Sequence, residues 1–307
     1  MDHMSKDLKK LIEDLKEREN ILLLVHYYQR MEIQDIADRV GDSLKLSLEA
    51  MNTKAKKIVF CGVYFMAEQA AVLNPETPVY IPDETAGCPL ADMLSIDDIL
   101  RARKKYPRAP VVLYVNSRAI HKAYADYIVT SANAADVIGE LPYDVIIFGP
   151  DKNLADHVAE KTGKNIIPVP PNGHCYVHVL FDDEDVKRFK EKGFKIVVHP
   201  ECEKCVRKQA DFIGSTKQMY DYIRGCGSKK IAIGTELGFV ERVMRDFPDK
   251  EIYPLNESAI CKDMKKITLE KVYECITKSI YRVLVPHDVA KKIRQALKRT
   301  FELLGVT

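Results

Sequence analysis

The chain has 307 residues, more than one ordinary hydrophobic core accommodates, which predicts two or three domains. Its 46% hydrophobic and 30% charged residues are typical of a globular protein, and the formal net charge of +2 excludes a global attraction to nucleic acid or membranes. No apolar run has the roughly 18 residues of a membrane span, and the eight cysteines are too widely spaced for a small disulfide framework, so we expect a cytoplasmic protein with reduced thiols and without nucleic-acid or membrane partners.

The first predicted elements alternate between helix and strand. Between Lys6 and Asn20, apolar residues recur at helical spacing, which predicts an amphipathic helix. Residues 21–25 are a short, wholly apolar run, typical of a strand buried on both faces of a parallel sheet. Helix-patterned segments follow at 32–40 and 44–51. This alternation predicts a parallel sheet with right-handed crossovers.

Three later segments repeat one pattern. Each contains an apolar run, a glycine, a helix-patterned stretch, a second apolar run with a proline, and a final cysteine. The glycines and cysteines recur about every 87 residues, at Gly62, Gly149 and Gly234 and at Cys88, Cys175 and Cys261. A fixed period indicates related structural units. Three units that each end in one thiol predict a single site built by three domains.

The part of the chain before each of these segments repeats as well. An Ala-Asp pair stands at 37–38, 125–126 and 210–211, and the fifth residue after each Asp carries a hydroxyl: Ser43, Ser131 and Thr216. The repeat is therefore a whole domain. The predicted fold class is α/β, with three homologous αβα sandwich domains whose parallel sheets are related by approximate threefold symmetry.

The repeat also predicts domain boundaries. We expect the three αβα repeats at residues 21–106, 107–192 and 193–279. Residues 1–20 and 280–307 are expected to form terminal helices that pack on this body. A helix led by Thr268 and a last amphipathic helix from Val289 to Leu304 complete the predicted elements.

Polar residues collect directly after the predicted strands. Ligands of open parallel sheets bind outside the carboxyl ends of the strands. The residues at or just beyond those ends are His26, Tyr28, Tyr114, Asn116, His199 and Glu201. Helix N-termini suit carboxylates and phosphates, and Ser43, Ser131, Ser215 and Thr216 each begin a helix-patterned segment. Ordinary helix capping is the simpler explanation for any one of these hydroxyls, but matching positions in three repeats favour a binding site.

The three repeat cysteines are candidate metal ligands. A single cysteine is most often a buried packing residue, but Cys88, Cys175 and Cys261 all follow turns rather than lie within apolar runs. Three thiolates without a fourth nearby match an iron–sulfur cluster with one open iron. A three-thiolate zinc site is the alternative, although structural zinc usually takes closely paired ligands. Cys202 and Cys205 form the only C-x-x-C pair, which is either incidental or a redox or metal half-site.

Eleven motifs, in order along the chain, give a specific resemblance to a known family. They are VHYYQ (25–29), GDS (41–43), GVYFMAE (62–68), YVN (114–116), TSAN (130–133), GPDKNLADHVAEKTGK (149–164), GHCYVH (173–178), HPEC (199–202), GST (214–216), GTELG (234–238) and CKDMKKITLE (261–270). With these motifs the chain resembles the quinolinate synthase family of NAD biosynthesis. The resemblance implies three αβα domains around a pseudo-threefold axis.

The resemblance also implies a cofactor and a reaction. The cofactor is a [4Fe–4S] cluster held by Cys88, Cys175 and Cys261, with one iron open as a Lewis acid. Iminoaspartate (iminosuccinate) and dihydroxyacetone phosphate condense to quinolinate, with release of phosphate and two waters. An aspartate oxidase or dehydrogenase would be the partner that supplies iminoaspartate.

The family's site residues are expected at matching positions of this chain. The implied substrate-binding residues are His26, Ser43, Tyr114, Val115, Asn116, Ser131, His199, Pro200, Glu201, Ser215 and Thr216. The implied catalytic residues are Tyr28, Tyr114, Asn116, His199 and Glu201. Enolisation, cyclisation and dehydration need groups that exchange protons, and we expect Glu201 to be the principal acid/base.

Two other functions are compatible with the same residues. An iron–sulfur hydro-lyase acting on a hydroxy acid would share the open iron but need no phosphate site. A non-catalytic metal or redox protein would hold zinc on the cysteines and would be colourless. Use of dihydroxyacetone phosphate distinguishes the first alternative, and the brown colour of an iron–sulfur cluster distinguishes the second.

Overall fold

In the computed structural model, which describes residues 2–305, strands and helices alternate along almost the whole chain. The strands are β1 Ile21–His26, β2 Arg39–Gly41, β3 Lys57–Cys61, β4 Val79–Tyr80, β5 Val111–Tyr114, β6 Tyr127–Val129, β7 Val145–Gly149, β8 Asn165–Pro168, β9 Lys195–Val198, β10 Phe212–Ile213, β11 Lys230–Gly234 and β12 Glu251–Pro254. The helices are α1 Asp2–Glu19, α2 Met31–Asp35, α3 Ser43–Asn52, α4 Tyr64–Leu73, α5 Pro89–Asp92, α6 Ile96–Lys105, α7 Ala119–Lys122, α8 Ala134–Glu140, α9 Lys152–Thr162, α10 Asp183–Lys190, α11 Lys204–Gln209, α12 Thr216–Gly225, α13 Leu237–Asp246, α14 Leu269–Lys278 and α15 His287–Leu303, with short 3₁₀ helices at His178–Leu180 and Met264–Lys266.

The strands form three four-stranded sheets with the same topology. Their orders are β2-β1-β3-β4, β6-β5-β7-β8 and β10-β9-β11-β12, and every pair is parallel. In each sheet the chain runs from the first strand to one edge and then returns to the other side of that strand. This confirms the predicted α/β class with three αβα units. Their arrangement around an axis stays a prediction.

The repeated aspartates have one structural role in all three sheets. The carboxylate of Asp38 accepts a hydrogen bond from the backbone N–H of Leu23 at 2.7 Å. Asp126 and Asp211 do the same for Val111 and Ile196, both at 2.8 Å. Each aspartate lies just before the short edge strand and accepts a hydrogen bond from a backbone N–H of the first strand. Because buried backbone N–H groups need a partner, this bond explains why Asp recurs in each repeat.

The chain divides into two compact units. One comprises residues 2–88 with 261–290, and the other comprises residues 89–260 with 291–305. The first unit contains the β1–β4 sheet and the second contains the other two sheets. The predicted repeat boundaries stay predictions, and residues 1, 306 and 307 of the predicted terminal segments lie outside the described residues.

A continuous apolar core lies in the first unit. Ile12 of α1, Val25 and Val59 of the sheet, and Val272 and Ile276 of α14 belong to it and are buried. The amphipathic faces of α1 and α14 therefore cover the β1–β4 sheet, and the helix predicted after Thr268 belongs to this unit. Thr268 caps it by accepting a hydrogen bond from the backbone N–H of Lys271 at 3.4 Å. Within residues 2–305, no helix combines the length and apolar character needed to cross a membrane.

Two local predictions were wrong. The segment 32–40 is not one helix, because α2 ends at Asp35 and Arg39–Gly41 forms the edge strand β2. Its buried Ile33 and Ile36 belong to the core and produce the helical spacing, but the pairing of Asp38 with β1 extends the chain after them. Ser131 does not begin a helix either, since α8 starts at Ala134.

Candidate active site

The strand order places a crevice at the carboxyl end of each sheet. In a 2-1-3-4 order, the connections from the first and third strands leave in opposite directions, which opens a ligand site between those strand ends. In the third sheet, His199 and Glu201 follow β9, and Thr235 follows β11. In the second sheet, Tyr114 ends β5 and Asp151 follows β7. All five residues are buried.

Glu201 is the centre of a buried cluster of ionisable side chains. Its Oε2 lies 2.7 Å from Nδ1 of His178 and 3.6 Å from Nδ1 of His199. The two imidazole rings are stacked, with centroids 4.6 Å apart. Glu201 and His178 are 2% and 1% exposed, so this carboxylate interacts with two histidines almost without water.

Hydroxyl groups hold the far sides of both imidazole rings. Nε2 of His178 lies 2.9 Å from the Thr235 hydroxyl, and Nε2 of His199 lies 3.2 Å from the Ser131 hydroxyl. Each ring is therefore fixed between a hydroxyl on one side and Glu201 on the other. Ser131 belongs to the second repeat and His199 to the third, so the two repeats of this unit contribute to one site.

The surroundings of Glu201 keep its carboxylate ionised. Burial by itself raises the pKa of Glu201, but the charges of His178 and His199 outweigh this effect and lower the pKa to about 2. The Tyr114 hydroxyl is close enough to lower this pKa further. No hydrogen bond of normal geometry from the described residues reaches the buried Oε1 atom. This oxygen is suited to accept a proton or bind a cation.

Asp151 connects Glu201 with the loop of the second repeat cysteine. It caps α9 by accepting from the N–H of Leu154 at 2.8 Å, and its other oxygen accepts from the N–H of Cys175 at 3.1 Å. Burial and the nearby charge of Glu201 raise the pKa of Asp151 well above its ordinary value. Asn153, in the first turn of α9, donates to the backbone oxygen of Glu201 at 3.1 Å. The start of α9 thus positions both the thiol and the carboxylate.

Close backbone packing explains two glycines near this loop. A Cβ on Gly173 would overlap the carbonyl oxygen of Pro150, and one on Gly149 would overlap the carbonyl oxygen of Val169. Only glycine permits such close approach without displacing the backbone. The strand-to-helix turn after β7 and the loop that carries Cys175 are therefore packed directly on each other.

The three repeat cysteines have the same local setting. None of them is in a disulfide, and each is partly exposed. Two residues before each one, a backbone carbonyl accepts a 2.8 Å hydrogen bond from the first residue of the helix after the third strand. The donor and acceptor pairs are Tyr64 and Ala86 before Cys88, Lys152 and Gly173 before Cys175, and Leu237 and Ala259 before Cys261. Cys175 lies in the second unit and the other two lie in the first.

The C-x-x-C pair has a different environment. Cys202 is fully buried, and its thiol donates to the backbone oxygen of Gly234 at 3.4 Å. Burial and the nearby Glu201 raise its pKa well above the ordinary value. Cys205 is exposed, and both thiols are free. A buried, protonated thiol is unreactive, so Cys202 is a packing residue in this structure.

In the first unit, the structure brings His26 and Tyr28 together. Their rings make an edge-to-face contact with centroids 4.6 Å apart, and the backbone N–H of Tyr28 donates to Nδ1 of His26 at 3.1 Å. Lys265 donates from Nζ to the backbone oxygen of Tyr28 at 2.6 Å. Ser43 is the first residue of α3, whose cap is the side chain of Asp42.

The remaining predicted residues lie near the strand ends of the second unit. Ser215 caps α12 in a capping box, and Thr216 is the first residue of that helix; both are buried. Val115 and Pro200 are buried next to Tyr114 and His199, whereas Asn116 is partly exposed. The N-terminus of α12 thus leaves backbone N–H groups close to the end of β10.

Sequence reasoning assigned no role to three residues of the buried cluster. His178, Thr235 and Asp151 occur inside the motifs GHCYVH, GTELG and GPDKN, but only the structure shows that they surround Glu201. The sequence position of Thr235 and Asp151 could have identified them, because both follow the repeated Gly at the end of a third strand. His178 had no signal of this kind.

Cys175, His178 and Glu201 also form a possible metal site. One ligand atom of each lies within 4.8 Å of the others, and no other group of three such residues was found among residues 2–305. A thiolate, an imidazole and a carboxylate are all zinc ligands.

Comparison with known proteins reveals extensive similarity. The family model described as Quinolinate synthetase A protein matches residues 10–302. A Quinolinate synthase of Thermococcus kodakarensis is 52% identical over 300 residues, which cover 96% of this chain and 99% of that protein. One from Pyrococcus furiosus is 52% identical over 97% of this chain and 98% of its own length. One from Thermotoga maritima is 47% identical over 95% of this chain and 98% of its own length.

Proposed function

Because the chain belongs to the quinolinate synthase family, we propose that it makes quinolinate for NAD biosynthesis. The substrates are iminoaspartate and dihydroxyacetone phosphate, and phosphate and two waters are released. An oxidase or dehydrogenase acting on aspartate supplies the imine in the same compartment, the cytoplasm. Both substrates are anions, and the reaction requires repeated proton transfers.

The observation that carries the proposal is the environment of Glu201. Its carboxylate is ionised at neutral pH, and its Oε1 atom has no hydrogen-bond partner of normal geometry among the described residues. It is therefore in the deprotonated form that a general base requires. The imidazole of His178, 2.7 Å from the other oxygen, is a second group that can give or take a proton. Proton exchange of this kind is what enolisation and dehydration need.

Groups suited to anions lie around this carboxylate. His199 and Ser131 form one side chain pair at 3.2 Å, and either can donate to a substrate carboxylate once the pair opens. Ser215 and Thr216 begin α12, whose unpaired N–H groups attract phosphate or carboxylate. Tyr114, Val115, Asn116 and Pro200 complete the proposed binding surface of this unit. In the other unit, His26, Tyr28 and Ser43 are the proposed contacts, with Tyr28 in proton transfer.

Cys88, Cys175 and Cys261 are the proposed ligands of a [4Fe–4S] cluster. The donor set fits, because all three are partly exposed thiols outside any disulfide, with the same backbone hydrogen bond two residues earlier. The buried Cys202 does not share this setting. With only three thiolates, one iron remains open and supplies Lewis-acid chemistry toward a hydroxyl or carboxylate.

The test is anaerobic purification with iron and sulfide analysis, followed by an assay for quinolinate from the two substrates. About four irons per chain, together with quinolinate formation, is the expected result. Loss of iron in Cys88→Ala, Cys175→Ala and Cys261→Ala would support the ligand assignment. Four irons without quinolinate would point to the hydro-lyase alternative, and absence of iron after anaerobic reconstitution would contradict the cofactor.

A further inference from the structure

The group of Cys175, His178 and Glu201 has the donor chemistry of a single transition-metal ion. Sulfur, nitrogen and oxygen ligand atoms lie within 4.8 Å of one another. Zn²⁺ takes these three donors in tetrahedral sites, and three protein ligands leave its fourth position open. A sequence spacing of C-x-x-H brings two of the donors from one short turn, in which the N–H of His178 donates to the Cys175 carbonyl at 3.1 Å.

The carboxylate in this group is buried, and a bound cation would balance its charge. Oε1 of Glu201 is buried without a hydrogen bond of normal geometry from the described residues, and the side chain is only 2% exposed. Oε2 lies 2.7 Å from Nδ1 of His178, in a contact without hydrogen-bond geometry. A metal ion between these two atoms would bind both residues and balance the buried charge.

The imidazole is already oriented for such a metal. Its Nε2 lies 2.9 Å from the Thr235 hydroxyl, so Nδ1 is the nitrogen directed at Glu201. Metal-binding histidines commonly use their second nitrogen in a hydrogen bond of this kind, which fixes the ring. Cys175 is partly exposed, while His178 and Glu201 are buried, so an ion can reach the site from the side of the thiol.

We propose that the cluster-free chain binds one Zn²⁺ ion through Sγ of Cys175, Nδ1 of His178 and a carboxylate oxygen of Glu201. Binding releases the thiol proton to solvent, and no electron is transferred. Affinity therefore rises with pH. The zinc site does not depend on the proposed activity. Because Cys175 is also a proposed cluster ligand, zinc binding would compete with cluster assembly, and only this competition rests on the proposed function.

The test uses the full-length, iron-free protein, titrated with Co²⁺ under reducing, anaerobic conditions. A thiolate-to-cobalt charge-transfer band and tetrahedral visible bands should appear at one equivalent and disappear when Zn²⁺ is added. Zinc binding should also release about one proton per ion at neutral pH, measured with an indicator dye. Cys175→Ser should abolish the band, and His178→Gln and Glu201→Gln should weaken binding by more than about 100-fold.

Matched variants separate this site from other thiol sites. Thr235→Val removes only the hydroxyl behind His178 and should weaken binding about 10- to 100-fold. Cys88→Ser, Cys261→Ser and Cys205→Ser should bind Co²⁺ as the unaltered protein does. The proposal is overturned if the band depends on Cys88 or Cys261 and survives His178→Gln, or if no thiolate band forms. Proton release by the unaltered protein provides a test even if a variant fails to fold.

Discussion

Oε2 of Glu201 lies 2.7 Å from Nδ1 of His178, and solvent reaches neither side chain to more than 2%. A buried carboxylate without compensation would be protonated at neutral pH. Here the neighbouring histidines lower its pKa to about 2 instead. Glu201 is therefore a buried negative charge. We expect this charge to affect both the stability of the protein and the proposed chemistry of the site.

The charge of Glu201 should appear in the pH dependence of stability. Its pKa falls from 4.5 to about 2 on folding, so the stabilisation is complete above about pH 4.5 and is lost as pH falls toward 2. This shift corresponds to roughly 3 kcal/mol. We expect the free energy of unfolding of Glu201→Gln to change less across this window than that of the unaltered protein. Urea unfolding between pH 2 and pH 6 measures both free energies. An equal pH dependence of the two proteins would contradict the lowered pKa of Glu201.

Loss of the same charge should slow the proposed reaction. Glu201→Gln preserves the size of the side chain but cannot accept a proton, and we expect kcat to fall about 10²- to 10⁴-fold. Iron content should not change. Glu203→Gln, two residues further along, is the control, because Glu203 makes no side-chain cap hydrogen bond to α11 and should leave kcat unaltered. Near-full turnover by an iron-loaded Glu201→Gln protein would eliminate Glu201 as the acid/base.

Arg207 should contribute more to stability than Lys204, although both pair with the same two carboxylates. The Arg207 guanidinium is 1% exposed and contacts Asp156 at 2.5 Å and Glu160 at 2.7 Å, joining α11 to α9. Lys204 contacts the same residues but is 48% exposed. Because both carboxylates are partly exposed, we expect Arg207→Ala to cost about 1–3 kcal/mol.

Lys204→Ala serves as the matched comparison and should cost less than about 1 kcal/mol, since exposed ion pairs are weak. Chemical denaturation at low and high salt measures both values. Equal costs for the two variants, or loss of most of the Arg207 effect in high salt, would show that burial of the guanidinium is unimportant.

Gly173→Ala should displace the loop of Cys175. A methyl group there would overlap the backbone oxygen of Pro150, which cannot rotate away as a side chain would. We expect a destabilisation of about 1–3 kcal/mol and a lower iron content after reconstitution. Gly139→Ala is the control, because a Cβ at that position of α8 meets nothing within 4 Å and improves helix propensity. Unchanged iron content and thermal stability in Gly173→Ala would disprove the tight packing.

The two cysteines of the C-x-x-C pair should react differently with iodoacetamide. Cys202 is buried, and its pKa is raised by burial and by Glu201, so native protein should leave it unmodified. Cys205 is exposed and should be alkylated, slowly at neutral pH because partial burial and Asp183 raise its pKa. Peptide mass spectrometry after timed labelling distinguishes them, with urea-unfolded protein as the control for Cys202. Rapid modification of Cys202 in native protein would revive the redox interpretation.

The sequence predicted local structure well where one interaction dominates. The wholly apolar run before His26 became β1, since a strand buried on both faces requires apolar residues throughout. The helix predicted at 32–40 was wrong beyond Asp35. Asp38 accepts a hydrogen bond from Leu23, 15 residues away, and this long-range contact overrides the local helical spacing. Edge strands as short as β10, with two residues, leave too little pattern to recognise.

For the site, the sequence alone determined the threefold repeat, the equivalent cysteines, and the polar residues that end each first strand. These follow from periodicity and from the rule that parallel strands place ligands at their carboxyl ends. Only the tertiary structure decided that His178 and Thr235, which are 57 residues apart, meet at 2.9 Å behind Glu201. The pKa of Glu201 depends on that packing, because burial and neighbouring charges are properties of the assembled fold and not of the residue type.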